Sequence, residues 1–114
     1  MDPQGNRISK VDIEARCGEI VEPWSPVDLA EVNDQVIRMA LFQGEYHWHR
    51  HELEDELFYV YRGEVTIRIR GHPDVVLGSG EMAVVPREVE HRPESADPSY
   101  VLMFEPHRLK SKGD

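Results

Sequence analysis

Cysteine is almost missing from this chain: Cys17 is the only one in 114 residues. A single thiol excludes an internal disulfide, and its simplest role is that of a small buried hydrophobe. The N-terminal stretch MDPQGNRISK lacks the apolar segment of a secretory signal, so the cytoplasm is the expected compartment. No apolar run approaches the roughly 20 residues that a membrane helix needs. Basic charge is also scarce, with 13 Lys and Arg against 22 Asp and Glu and a net charge of -9. So acidic a surface repels phosphate backbones and anionic lipid, and neither nucleic acid nor a membrane surface is an expected partner. The only basic cluster is RLKSK at 108–112. No serine stands in a turn with a histidine and an acid at suitable spacing, which excludes a nucleophilic triad. The length suits one core and not two, so residues 1–114 read as a single domain with frayed ends at 1–8 and 108–114.

What is present is mostly short strands. Ile13, Cys17, Ile20, Val21 and Trp24 recur at helical spacing, with Asp12 to cap and Pro23 to stop, and predict a helix over 12–22. WSPVDLAEVND (24–34) reads equally as a helical turn or as extended chain. The period then changes to two. In QVIRMALF (35–42), Ile37, Met39 and Leu41 share one face and Arg38 the other. In GEVTIRIRG (63–71), Val65, Ile67 and Ile69 point inward and Thr66, Arg68 and Arg70 outward. RGHPDV supplies a turn, and VVL (75–77), MAVV (82–85) and YVLMF (100–104) complete the set. Short strands punctuated by Gly and Pro predict an all-β sandwich or barrel. Ile37, Met39, Phe58, Val65 and Ile67 would line its interior, Met39, Met82 and Met103 would join the core, and Trp24 would anchor the core or an interface.

The chemistry concentrates in HWHRHELEDE (47–56). On a strand, His47, His49 and His51 look to one side while Trp48 and Arg50 look to the other, with neighbouring imidazoles about 6.6–6.8 Å apart along the chain. Two such rings can lean onto one ion, but the outer pair is roughly 13 Å apart, so one outer histidine stands aside. A hairpin from His51 to Glu56 would bring that carboxylate back against the pair. His91, after VVPREVE, is a remote fourth donor. A His-x-His pair, one Glu and a distant His suit a divalent first-row metal. Glu52, Glu54 and Asp55 read as a solvated loop, and His72 and His107 as surface residues.

G44-EYHW-H49-R-H51-ELED-E56-LFYVYR-G63 resembles the first cupin motif: Gly, His-x-His, three or four residues, Glu, six residues, Gly. G80-EMAVV-P86-REVE-H91 is similar to the second. The resemblance covers about residues 33–106 and is to small single-domain cupins of type 2, those akin to mannose-6-phosphate isomerases among them. It implies a jelly-roll (double-stranded β-helix) barrel with the short N-terminal helix outside the motif region. It further implies one divalent transition-metal ion (Zn, Mn, Fe, Ni, Co or Cu) on His49, His51, Glu56 and His91. The six residues between Glu56 and Gly63 select Glu56 over Glu54 and Asp55. The sequence departs from the family pattern in two places: four residues separate Gly44 from His49 where the family has five, and Glu88 replaces the inner Gly of the second motif.

The resemblance leaves the reaction open: oxygenases, isomerases, decarboxylases and lyases share the fold. The first expectation is a metal-dependent enzyme acting on a small polar substrate, with His47 reading equally as a general base or supporting group beside the metal and as a polar residue at the barrel mouth. The alternative is a non-catalytic protein that binds or senses a small ligand through its ion. A homodimer is implied by the family, with edge strands and Trp24 or Trp48 as contacts.

Overall fold

The computed structural model describes residues 8–109 and 113. Helix α1 (Ile13–Cys17) precedes seven strands: β1 (Val27–Val32), β2 (Gln35–Glu45), β3 (Glu56–Arg62), β4 (Glu64–Ile69), β5 (His72–Gly78), β6 (Met82–Val85) and β7 (His91–Pro106). All the strand pairings are antiparallel. The ambiguous stretch 24–34 is therefore largely strand. The helix is shorter than expected. Asp12 caps it by accepting from Ala15 N, and the chain leaves it at Gly18, whose N–H donates to Arg16 O. Of the ends expected to fray, 1–7, 110–112 and 114 lie outside the described residues. Leu109 is buried, and Arg108 is bonded to Glu54, so these two pack onto the domain. Among the described residues no helix is long and apolar enough to cross a membrane.

Strand β7 organises the barrel because it belongs to two layers. Its C-terminal part lies between β2 and β3, with Ala40 and Val60 both opposite Val101. Its N-terminal part pairs with β4, with Ile69 opposite His91. β1 extends the first layer beyond β2, β6 extends it beyond β3, and β5 pairs with β4. Gly63, between β3 and β4, lies hard against Ser99 of β7. Its φ is +119°, and a Cβ there would lie 2.6 Å from Ser99 Cβ, so only glycine fits.

Two apolar clusters result. Phe42, Phe58, Val65, Ile67, Val101 and Met103 fill the interior. Cys17, Ile20, Met39, Leu41 and Leu102 pack separately, where α1 covers the outer face of the sheet. The face assignment of β2 thus reverses the expectation. Ala40 and Phe42 belong to the interior, whereas Met39 lies in the second cluster, 3.9 Å from Cys17 Sγ, and Ile37 is only half-buried. Both faces of β2 are covered, so apolar residues occupy both and alternation carries no direction. Met82 is 63% exposed and is no core residue.

Candidate metal centre

Residues 46–55 connect β2 to β3, and they form no strand. His49 makes one isolated bridge, pairing with His91 through His49 N–H to His91 O (3.0 Å) and His91 N–H to His49 O (2.9 Å). This pair sets the two rings side by side, centroids 4.4 Å apart. His51 is fixed from behind, its carbonyl accepting from Glu88 N–H at 2.7 Å. Glu56 opens β3, opposite Val85 of β6. Its Oε1 lies 3.4 Å from His51 Nε2 and 3.9 Å from His91 Nε2. One donor atom from each of His49, His51, Glu56 and His91 falls within 4.8 Å of the others, and all four residues are buried.

The surroundings suit these donors to a cation. His49 Nδ1 meets the His47 carbonyl at 3.0 Å, and His91 Nδ1 meets the Val89 carbonyl at 2.9 Å. A carbonyl can only accept, so each Nδ1 carries the proton and each Nε2 keeps a lone pair for the centre. Burial pushes His49 down to about 4 and lowers His91 as well, so both are neutral at pH 7. Burial pushes Glu56 up, against the pull of Glu105 and Arg38. His91 Nε2 is buried without a hydrogen-bond partner among the described residues. A divalent ion satisfies that lone pair and the Glu56 charge together, and three imidazoles with one carboxylate fit a first-row ion.

Behind Glu56 stands a support that alternation does not disclose. Glu105 is fully buried beside Glu56, and its Oε2 has no hydrogen-bond partner among the described residues. Arg38 Nη1 donates to Glu105 Oε1 at 2.8 Å, and the same guanidinium reaches Asp28 Oδ1, His107 O and Leu109 O. Burial and the neighbouring Glu56 outweigh Arg38 and hold Glu105 up at about 9. This favours the protonated form of Glu105 at neutral pH, the form that can donate to Glu56. Arg38, expected on the face away from the core, instead belongs to this buried network. The usable signal was a charged residue inside each of two apolar strand runs, VIRMAL and VLMFEP.

The loop differs from expectation elsewhere. His47 is exposed, packs its ring on Tyr46 (centroids 4.1 Å apart) and stands 5.2 Å from the His49 ring. Interior parity does not hold for it because the segment is not a strand. Glu54 is buried and bonded to Arg108 at 3.0 Å, so it is not part of a solvated face. Trp48 packs beneath Arg70 and Arg92, 4.3 and 5.3 Å from its ring centroid. His72 and His107 are exposed, as expected.

Glu88 explains how the second motif tolerates the loss of its inner glycine. The residue keeps a glycine-like φ of +69°. Left-handed backbone costs a non-glycine residue about 1–2 kcal/mol. The Glu88→Gly variant is therefore expected to be more stable by about 1 kcal/mol in urea unfolding. An unchanged or lowered midpoint would show the turn to be unstrained.

A pocket lined by Trp24, Ala40, Phe42, Tyr46, Phe58 and Met103, with Pro26 and Pro93, opens onto His49 and Glu56. Barrel, donor cluster and pocket together define a cupin. The family model for the cupin domain matches residues 37–105, and the chain belongs to that family. Among its relatives is the uncharacterized protein YdbB of Bacillus subtilis, 37% identical over 81 residues, which are 71% of this chain and 72% of that one. A cupin-2 domain containing protein from Shewanella frigidimarina superposes with a TM-score of 0.82 at 32% identity, covering 85% of this chain and 94% of the other. NMB1881 from Neisseria meningitidis gives a TM-score of 0.80 at 24% identity over 86% and 99% of the two chains, a likeness of fold.

Proposed function

We propose that this cupin is a metal-dependent enzyme acting on a small molecule, with one divalent transition-metal ion held by His49, His51, Glu56 and His91. The observation that carries this reading is that the pocket opens directly onto two of those residues, His49 and Glu56. A purely structural ion is closed off by protein, whereas a catalytic one keeps a side open to substrate. A divalent ion there supplies Lewis acidity to a substrate oxygen. The chain's own contribution is to orient: Val89 and His47 carbonyls fix the ring tautomers, and protonated Glu105 holds Glu56 in place. Oxygenase, isomerase, decarboxylase and lyase chemistry are all compatible with such a centre.

Besides the donor residues, Tyr46 is the one residue of the lining with an ionisable proton. Burial raises its phenol above the ordinary value, with Glu56 adding to the effect, so it stays protonated and able to donate at neutral pH. His47 does not line the pocket; its ring packs against Tyr46 and His49, which do. A panel of small keto acids, diketones, sugars and phenols assayed with and without chelator tests the enzyme reading. Turnover that disappears with the ion and returns on re-addition is expected; ion uptake without turnover on any of them favours the binder. With a substrate in hand, Tyr46→Phe is expected to lower kcat by about 10²-fold, the usual contribution of a placed proton donor. His47→Ala, measured beside it, is expected to change kcat by less than about threefold; the reverse ranking would make His47 the proton carrier.

A further inference from the structure

Residues 46–55 carry His49 and His51 but form no strand, so their position at the centre depends on ties to the rest of the barrel. Some of these run towards β7: Tyr46 and His49 donate their N–H groups to Pro93 O and His91 O, each at 3.0 Å, and Arg87 N–H donates to Asp55 Oδ1 at 2.9 Å. A different tie comes from the residues that follow β7. Arg108 Nε donates to Glu54 Oε2 at 3.0 Å. The Glu54 side chain is only 6% exposed and that of Arg108 is 64% exposed. A carboxylate so deeply set in the loop needs a donor, and this donor stands outside the loop.

Residues 107–109 are themselves fixed. Leu109 is buried, and its N–H donates to Pro106 O at 2.9 Å. Arg38 Nη2 donates to His107 O at 3.2 Å and Nη1 to Leu109 O at 3.1 Å. The same Nη1 donates to Glu105, the acid beside Glu56. One guanidinium therefore fixes both the side chain behind the Glu56 donor and the backbone on which Arg108 stands. Gly113 lies against the same loop. Its φ is +94°, and a Cβ there would come within 2.8 Å of His49 Cβ and 3.0 Å of Arg50 O, so a larger residue has no room.

We propose that Arg108 is a positioning residue for the metal centre: its bond to Glu54 latches the loop of His49 and His51 onto the barrel and so sets how fast the ion is released. An ion held by all four donors leaves only when His49 and His51 part from Glu56 and His91, which belong to β3 and β7. The loop cannot part as a unit while Glu54 is held at residue 108. Breaking that bond shifts the local opening of the loop and leaves the global unfolding of the barrel nearly as it was. The effect falls on retention, since all four donors remain. The release part rests on the metal reading above, whereas the loop-opening part does not.

Zinc-loaded protein mixed with an excess of a chromogenic chelator reports the release rate. Arg108→Ala is expected to release zinc at least about tenfold faster than wild type, with the zinc content per chain before mixing unchanged. Arg108→Lys keeps a charged donor and is expected to stay within about threefold of wild type. Glu54→Gln should also release faster, and adding Arg108→Ala to it should change the rate by less than about twofold, because the two residues act through one bond. His107→Ala, whose ring meets Glu31 and not the loop, should release zinc like wild type. Unchanged release in Arg108→Ala, equally fast release in His107→Ala, or additive effects at positions 54 and 108 overturns the proposal. Hydrogen exchange in ion-free protein tests the latch without the ion. The Tyr46 and His49 amides are expected to exchange at least about tenfold faster in Arg108→Ala, while those of β2 and β3 keep their wild-type rates. A wild type that takes up no zinc refutes the metal reading; loop amides that exchange at the wild-type rate in Arg108→Ala refute the latch.

Discussion

Adding a divalent transition-metal ion to chelator-treated protein is expected to raise its unfolding free energy by about 4 kcal/mol when the free ion is at a thousand times its Kd. For a domain of this size that is a rise of about 15 °C in Tm. The gain comes from mass action, since the donors converge only in the folded chain. Their atoms lie within 4.8 Å of one another, on a loop, on the first residue of β3 and on the first residue of β7. Unfolding scatters them, and the ion is lost. Folding has already buried the Glu56 carboxylate and the imidazoles, so the ion meets donors that need no further desolvation. At pH 7 His49 and His91 are already neutral and release no proton on binding. His91→Ala should abolish the ion-dependent increment as well as lower the stability of the ion-free protein, because His91 is 1% exposed and also bonds Val89 O. His107→Ala, on the surface beside Glu31, should leave the increment intact. Thermal melts after chelation and re-addition of Zn, Mn, Fe, Ni, Co and Cu in turn check this. A melt that no ion moves, with no metal bound, would remove the site from consideration.

The donors were legible in the sequence because their spacing is local, while their support was not. His49, His51 and Glu56 fall within eight positions of one another, and the matched spacing of the two motifs pointed to His91. Strand parity nonetheless misplaces the backbone: residues 46–55 are a loop, and His49 and His51 converge by a bridge to His91 and a tie to Glu88. Alternation worked for β4, where Val65 and Ile67 are buried and Thr66 and Arg68 are not. It failed for β2, whose outer face is covered by a short helix that the strand's own residues do not announce. Arg38 and Glu105 meet only through the register that sets Val36 opposite Glu105, and nothing short of the fold supplies that register. Trp24 packs against the interior cluster, as an anchor should, but its left-handed φ is something a Trp-Ser-Pro stretch does not signal.

Replacing Glu105 by alanine is expected to cost about 1–3 kcal/mol, because it leaves Arg38 Nη1 with Leu109 O alone, the rest of the guanidinium keeping Asp28 and His107 O, and removes the buried acid beside Glu56. Glu105→Gln should stay within about 1 kcal/mol of wild type at pH 7, since the amide can donate to Glu56 and accept from Arg38. The two proteins should then part with rising pH. In the ion-free fold Glu105 keeps its proton to about 9, whereas an unfolded glutamate loses it near 4.5. The folded state therefore binds the extra proton between those values, and stability falls as pH rises. His49 acts oppositely: unfolded histidine holds its proton up to about 6.5 and the folded one only to about 4, so stability rises with pH across that window. The two slopes oppose each other between pH 4.5 and 6.5, and above 6.5 the slope of Glu105 remains. Ion-free wild type should therefore lose about 1.4 kcal/mol per pH unit from pH 6.5 towards 9. His91 and Glu56 act in the same two senses, His91 with His49 and Glu56 with Glu105. Glu105→Gln has no such proton to lose, and its urea midpoint should flatten over that range. Parallel profiles for the two proteins would mean that Glu105 is ionised in the fold, with Arg38 and not the shared proton holding the two carboxylates together.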